Sequence, residues 1–213
     1  MYINSCITQE FFICILSYLF LILNLMSFFK KNWGNIVFVL VLALFLIPQT
    51  GVPIKVFLTR LISFSPSKVS DTEVVTMEDY NWNLKALDDT SINLSQSKGN
   101  VILINFWATW CPPCIAEMPS LQALYNEYGD KVDFYFVSSE KPEMLSKFLQ
   151  KKGYTFPVYI QFQEAPLELQ SNALPTTYLI SKSGEIIIKE TGAADWNSDK
   201  TRKIIEELLF LNN

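Results

Sequence analysis

The sequence predicts an α/β sandwich, with strands buried between helices, behind an apolar front end directed to a membrane. Three observations carry this reading. From residue 101 onward, short β-branched and aromatic runs such as "VILINFW" (101–107) and "VDFYFVS" (132–138) alternate with helical segments such as "KPEMLSKFLQKK" (141–152). Strands joined by helices pair in parallel and take helices on both faces. Residues 11–29 and 36–48 carry no charge at all. Half of the 213 residues are apolar, enough for one domain with a real core and further apolar segments.

Residues 81–94, "NWNLKALDDTSINL", alternate enough to predict an additional N-terminal hairpin or edge strand. The run 101–107 suits a strand buried on both faces. A helix follows from Pro112 to about Tyr128, begun by Pro112 and Pro113, whose missing N–H groups cost nothing at a helix start. Pro119 falls inside it and is expected to kink it. A second strand occupies 132–138, and the helix 141–152 is closed by Gly153. "FPVYI" (156–160) reads as a short extended piece and "APLELQ" (165–170) as a brief helix. "TTYLIS" (176–181) and "EIIIKE" (185–190) form a hairpin around "KSG". "DKTRKIIEELLFL" (199–211) closes the chain as an amphipathic helix.

The second apolar block extends over about residues 33–54, just long enough for a spanning helix of ~20 residues. Lys30 and Lys31 precede it, as in an uncleaved anchor with its N-terminus inside, although Lys55 and Arg60 flank its other end. Residues 1–29 are either a first span or, with Met26 as the true start, largely a gene-model extension. Both readings put the remainder outside the cytoplasm. Residues 52–64, "VPIKVFLTRLISF", suit a helix lying at the membrane surface. The predicted organisation is therefore a first apolar segment (1–29), an anchor with its interfacial segment (30–64), a linker (65–75) and a folded domain (76–213).

Charge and composition narrow the chemistry. Before residue 70 the chain has five Lys and Arg against one Glu; from there on it has twelve against twenty. An acidic folded domain argues against nucleic acid as partner. The chain has no histidine. That excludes Ser-His-Asp and Cys-His nucleophiles, His-ligated metals and a C-x-x-C-H haem site. Four-cysteine zinc is disfavoured because Cys6 and Cys14 lie in or beside the first apolar block, where they read as small apolar side chains. No metal, no cofactor and no NADPH-binding motif is expected.

The remaining two cysteines stand in "INFWATWCPPCIAEMPSL" (104–121) as Cys111 and Cys114. A working redox pair needs access, a stabilised thiolate and a resolving partner. Cys111 follows a buried strand and precedes a helix, whose N-terminal partial charge lowers a thiol pKa. Neither proline can donate, so the first backbone N–H of the turn available to Cys111 is that of Cys114. Cys114, about a turn further in, is the buried resolver. A static staple over a two-residue loop would stabilise little. In "ALPTTYLI", Pro175 stands directly before a strand, where it is tolerated and, if cis, would present the Leu174 backbone to a substrate peptide.

These motifs together, "NFWATWCPPC", Pro119 five residues after the second cysteine, "LPTTYLI" and "GEIIIKETG", resemble the thioredoxin superfamily. More closely, they resemble its membrane-anchored extracytoplasmic disulfide reductases of the TlpA/ResA type, over roughly residues 80–210. The resemblance implies a thioredoxin-like three-layer sandwich. Cys111 is then the nucleophile, Cys114 the resolver, and Pro175 a cis-proline opposite them. Trp110 and Leu174 flank the site as substrate contacts. Thioredoxin's buried aspartate is replaced by Asn105, which cannot titrate. Glu140, at the end of the second strand, either handles protons or is simply a favourable charge near a helix start. Glu117 is read in the second, structural way. Proline rather than histidine before the second cysteine favours a reductant. The implied partners are protein dithiol or disulfide substrates, among them a haem-binding dithiol of apocytochrome c, and a membrane electron-relay protein as donor. The implied location is the inner membrane, with the catalytic domain on the periplasmic side. The alternatives are a dithiol oxidase, a peroxide-reducing thioredoxin-like protein, or a non-catalytic binding module.

Overall fold

A computed structural model describes residues 32–39, 42, 56, 59, 65–68 and 75–210. Two compact units are distinguished, Met1–Val52 and Pro53–Asn213. In the first, residues 32–39 are helical and expose the apolar side chains of Trp33, Phe38 and Val39. Most of the predicted front end, 1–29 and 30–64, lies outside the described residues. Among those described, no helix is long and apolar enough to cross a membrane.

The second unit holds one seven-stranded mixed sheet. Its strands are β1 (Asn83–Ala86), β2 (Ser91–Asn93), β3 (Val101–Phe106), β4 (Val132–Ser138), β5 (Val158–Gln161), β6 (Thr176–Ile180) and β7 (Ile186–Thr191). Its helices are α1 (Pro112–Tyr128), α2 (Pro142–Lys152) and α3 (Asp199–Phe210). The spatial order is β2-β1-β5-β4-β3-β6-β7. β3, β4 and β5 run parallel, joined by α1 and α2; the two hairpins pair antiparallel at the edges. The expected 81–94 hairpin is thus present and extends the sheet beyond β5.

The central strand β3 is buried on both faces because its alternate residues enter different cores. Val101 and Leu103 join the helix-side cluster with Leu121, Leu124, Leu145, Ile204 and Ile205 from all three helices. Ile102 and Ile104 join the opposite cluster with Tyr178, Trp82, Leu84, Leu94 and Leu169. The expectation of helices on both faces is modified here. The second face is covered by the N-terminal segment and two 3-10 turns, Leu94–Ser97 and Leu167–Leu169, the latter standing where "APLELQ" predicted a brief helix. Trp82 makes this possible. It is fully buried, and its ring lies 5.8 Å from that of Phe106, filling volume that a helix would otherwise supply.

Two glycines do what the turns require. Gly153 caps α2 in the left-handed conformation at φ 72°, with its N–H on the Leu149 carbonyl. Gly184, at φ 90°, turns the β6–β7 hairpin, and a Cβ there would come within 2.6 Å of the Tyr80 hydroxyl. Pro119 stands inside α1, which runs unbroken from Pro112 to Tyr128.

Trp82→Ala is expected to lose about 3–5 kcal/mol of stability in a urea titration. Trp82→Phe should lose much less, because the buried Trp82 indole N–H has no hydrogen-bond partner to forfeit.

Candidate active site

β3 ends at Phe106, and the chain turns through residues 107–111 into α1. Cys111 is the N-cap of α1, with extended φ −88° and ψ 105°; Pro112 and Pro113 open the helix. The Cys111 Sγ accepts the Cys114 backbone N–H at 3.3 Å, as the sequence requires. The two sulfurs are bonded at 2.08 Å, so this is the oxidised form. Cys114 is fully buried and Cys111 is 3% exposed, whereas Trp110 beside it is 67% exposed. Access to Cys111 in the disulfide state is thus slighter than a nucleophile's role suggested, and the exposed feature is its neighbour.

The register of the sheet brings the second motif to the same end. Phe106 pairs with Thr176, so Pro175 lies beside the exit of β3. The Leu174–Pro175 peptide is cis. Trp110, Leu174 and Glu140 line one cavity of about 550 Å³. All six predicted site residues therefore gather at the carboxyl end of the parallel strands, the end at which open α/β sheets hold their sites.

Both carboxylates are held by contacts that the sequence does not announce. Glu140 sits in a loop, and its oxygens accept the Thr109 N–H at 2.6 Å and the Thr109 hydroxyl at 2.7 Å. It fixes the turn that delivers Trp110 and Cys111. Glu117 is no solvated charge at a helix start. It is 2% exposed, on the face of α1 that carries Cys114 three residues earlier. Its Oε1 accepts Asn105 Nδ2 at 2.8 Å; its Oε2 accepts the Trp196 indole N–H at 3.1 Å and the Ala194 N–H at 3.2 Å. Burial pushes its pKa up to about 8, against the three hydrogen bonds, which favour the charged form. Sequence reasoning missed it because two of its donors come from residues 77 and 79 positions downstream.

Asn105 completes the group. Its Nδ2 also donates to Thr177 Oγ1 at 2.7 Å, while its buried Oδ1 has no partner. Amide oxygen and nitrogen are exchanged by a simple flip. After that flip Oδ1 would face Glu117 Oε1 and accept a proton carried there. Asn105 can therefore serve either protonation state of Glu117, donating to the carboxylate or accepting from the acid.

In the unfolded chain a glutamate titrates at ~4.3. Between that value and about 8 the folded protein holds a proton that the unfolded chain has released. Stability contributed through Glu117 accordingly falls as pH rises across this window. Urea titrations of the wild type and Glu117→Gln should diverge by at most about 1.4 kcal/mol per pH unit between pH 5 and 8, the variant losing less. The glutamine variant is expected to fold, because its amide nitrogen can donate to the flipped Asn105 Oδ1.

Among the described residues no His, Cys, Asp and Glu group is placed to hold a metal ion. The comparisons with known proteins agree with the geometry. The Redoxin family profile matches residues 66–209. The thiol-disulfide oxidoreductase ResA of Halalkalibacterium halodurans is 34% identical over 134 residues, 62% of this chain and 73% of that protein. The thioredoxin-like protein YneN of Bacillus subtilis is 37% identical over 135 residues, 62% of this chain and 76% of that protein. A solved structure from Chlorobium tepidum, assigned to thiol:disulfide interchange protein DsbE, superposes with a TM-score of 0.52 at 21% identity, covering 69% of this chain and 99% of that one. At that identity the likeness speaks for the fold. With its Cys111–Cys114 disulfide at the head of α1, the chain belongs to the Redoxin family and is a ResA-like thiol–disulfide oxidoreductase.

Proposed function

We propose that the chain is a membrane-anchored disulfide reductase working outside the cytoplasm. The observation that supports it most is the Cys111 cap. The sulfur sits on the axis end of a 17-residue helix and already accepts a backbone N–H. Both features stabilise a thiolate once the disulfide is opened. The apolar blocks of the N-terminal region and the exposed apolar face of residues 32–39 support the anchor.

The reaction balances as two exchanges. In the reduced protein the Cys111 thiolate attacks one sulfur of a substrate disulfide; a mixed disulfide forms and one substrate thiolate leaves and takes up a proton. Cys114 then loses its proton and attacks Cys111 Sγ. The Cys111–Cys114 bond forms, and the second substrate thiol leaves carrying the other electron equivalent. A membrane dithiol carrier returns two electrons to the pair. Glu117 is the group we assign to the Cys114 proton: it is buried on the same helix face, and Asn105 on the central strand cannot titrate. Trp110, Leu174 and Pro175 form the contact surface for substrate, and Glu140 positions it through Thr109. The haem-binding dithiol of apocytochrome c, on the inner membrane's outer face, is the substrate the family resemblance favours.

The direction of electron flow is read from the reduction potential of the full chain in detergent, equilibrated with glutathione and dithiothreitol buffers. A value near ~−270 mV supports the reductase; one near ~−120 mV reverses the flow. Pro113→His should make the pair more oxidising. Cys114→Ser should accumulate mixed disulfides on Cys111, and Cys111→Ser should accumulate none; a non-catalytic pair would trap nothing in either variant.

A further inference from the structure

The cavity beside the redox pair has a chemistry that the exchange reaction itself does not need. Its accessible apolar surface is that of Trp110 and Leu174, 67% and 38% exposed; Val137 and Leu169 behind it are buried, and serine, glutamine and asparagine side chains supply the uncharged polar lining. Its charged lining is all of one sign. Glu140 and Glu164 supply carboxylates, and no lysine or arginine lines it among the described residues. Neither carboxylate is in an ion pair among those residues. Glu140 is occupied by two Thr109 donors, which hold it in place and leave its charge uncancelled.

The same sign continues next door. A second cavity of about 340 Å³ shares Glu164 and Ala165 with the first and adds Glu78, Asp79 and Glu168, again without a basic residue among those described. Trp107 also lines the first cavity, and its buried indole N–H has no partner. At about 550 Å³ the first cavity is within the range of sites that take a ligand. Exposed apolar side chains beside carboxylates match an aliphatic stem with a cationic head.

We propose that this cavity binds a lysine or arginine side chain of the substrate, carried on the segment that presents its disulfide to Cys111. The proposal rests on the reductase reading and adds to it a substrate class: disulfides flanked by basic residues. The stem lies against the exposed Trp110 and Leu174, and the head meets Glu140 and Glu164. An acidic residue at the same place is repelled by both carboxylates, so the cavity discriminates by exclusion as well as by attraction.

The test uses the reduced full chain in detergent and four disulfide-bonded peptides identical but for Lys, Arg, Gln or Glu beside the cysteine. The second-order rate constant of this single turnover is followed as loss of protein thiols. The Lys and Arg peptides should react about tenfold faster than the Glu peptide, with Gln between, and the preference should shrink as salt rises. In Glu164→Gln the Lys-to-Glu ratio should fall to about twofold. Ratios within threefold in the wild type, or a ratio unchanged by Glu164→Gln, overturn the proposal while leaving the reductase intact. If no peptide is reduced, the reductase reading fails. Binding of the same peptides with serine for cysteine then decides the cavity alone: a Lys-over-Glu preference lost in Glu164→Gln sustains it, and equal binding ends it.

Discussion

The placement of the redox pair depends on one buried carboxyl. Glu117 joins four parts of the fold: α1, which carries it; β3, through Asn105; β6, through Asn105 and Thr177; and the segment after β7, through Ala194 and Trp196. These contacts lie one turn below Cys114. Without them α1 would still bury its apolar face on the sheet, since burial is non-directional. The hydrogen bonds add direction, fixing rotation and height of the helix and hence where its N-terminal cap falls. Ser120 reinforces the same junction by donating to the Glu117 carbonyl at 2.7 Å and accepting the Trp196 N–H at 3.2 Å.

A group so placed serves two purposes that pull against each other. Three donors stabilise its charged form, while burial penalises that form more strongly, so the balance leaves it titrating near neutrality at about 8. A carboxylate with its ordinary pKa is too weak a base to take a thiol's proton readily, whereas one titrating near 8 is matched to it. The chain thus tolerates a group that costs stability as pH rises, in keeping with the proton role proposed for it. The substitution of a titratable strand residue by Asn105 becomes intelligible in this light. Two buried carboxyls within one network would oppose each other's ionisation, whereas an amide adapts to both states of the one that remains.

Much of this fold is legible in the sequence, and the reason is local. β3, β4 and the terminal hairpin are apolar runs of strand length; Gly153 and Gly184 mark turns where φ is positive. The cysteine turn is legible for the same cause: Pro112 and Pro113 remove their own N–H groups, leaving Cys114 to donate to Cys111. What is not legible depends on distant partners. Glu117 reads as a solvated helix charge until Trp196 is brought over it. Glu140 reads as a proton-handling group or a favourable charge near a helix start, and neither reading announces its hold on Thr109, 31 residues earlier. The covering of the second sheet face by Trp82 and Leu94 instead of a helix likewise follows from the hairpin's docking on β5, which no periodicity in residues 81–94 announces.

Glu140 shapes the site through its hydrogen bonds. Its two bonds to Thr109 set the conformation of the turn between β3 and α1, and that turn holds Trp110 out in solvent at 67% exposure. The same carboxylate faces the cavity that Trp110 borders. One residue therefore orients the rim against which a substrate rests and contributes to the potential that the substrate meets. Shape and charge at the rim are coupled through a single side chain. Removing it would disturb both at once, and for that reason the exposed Glu164, which carries charge without holding the turn, is the residue through which the two can be separated.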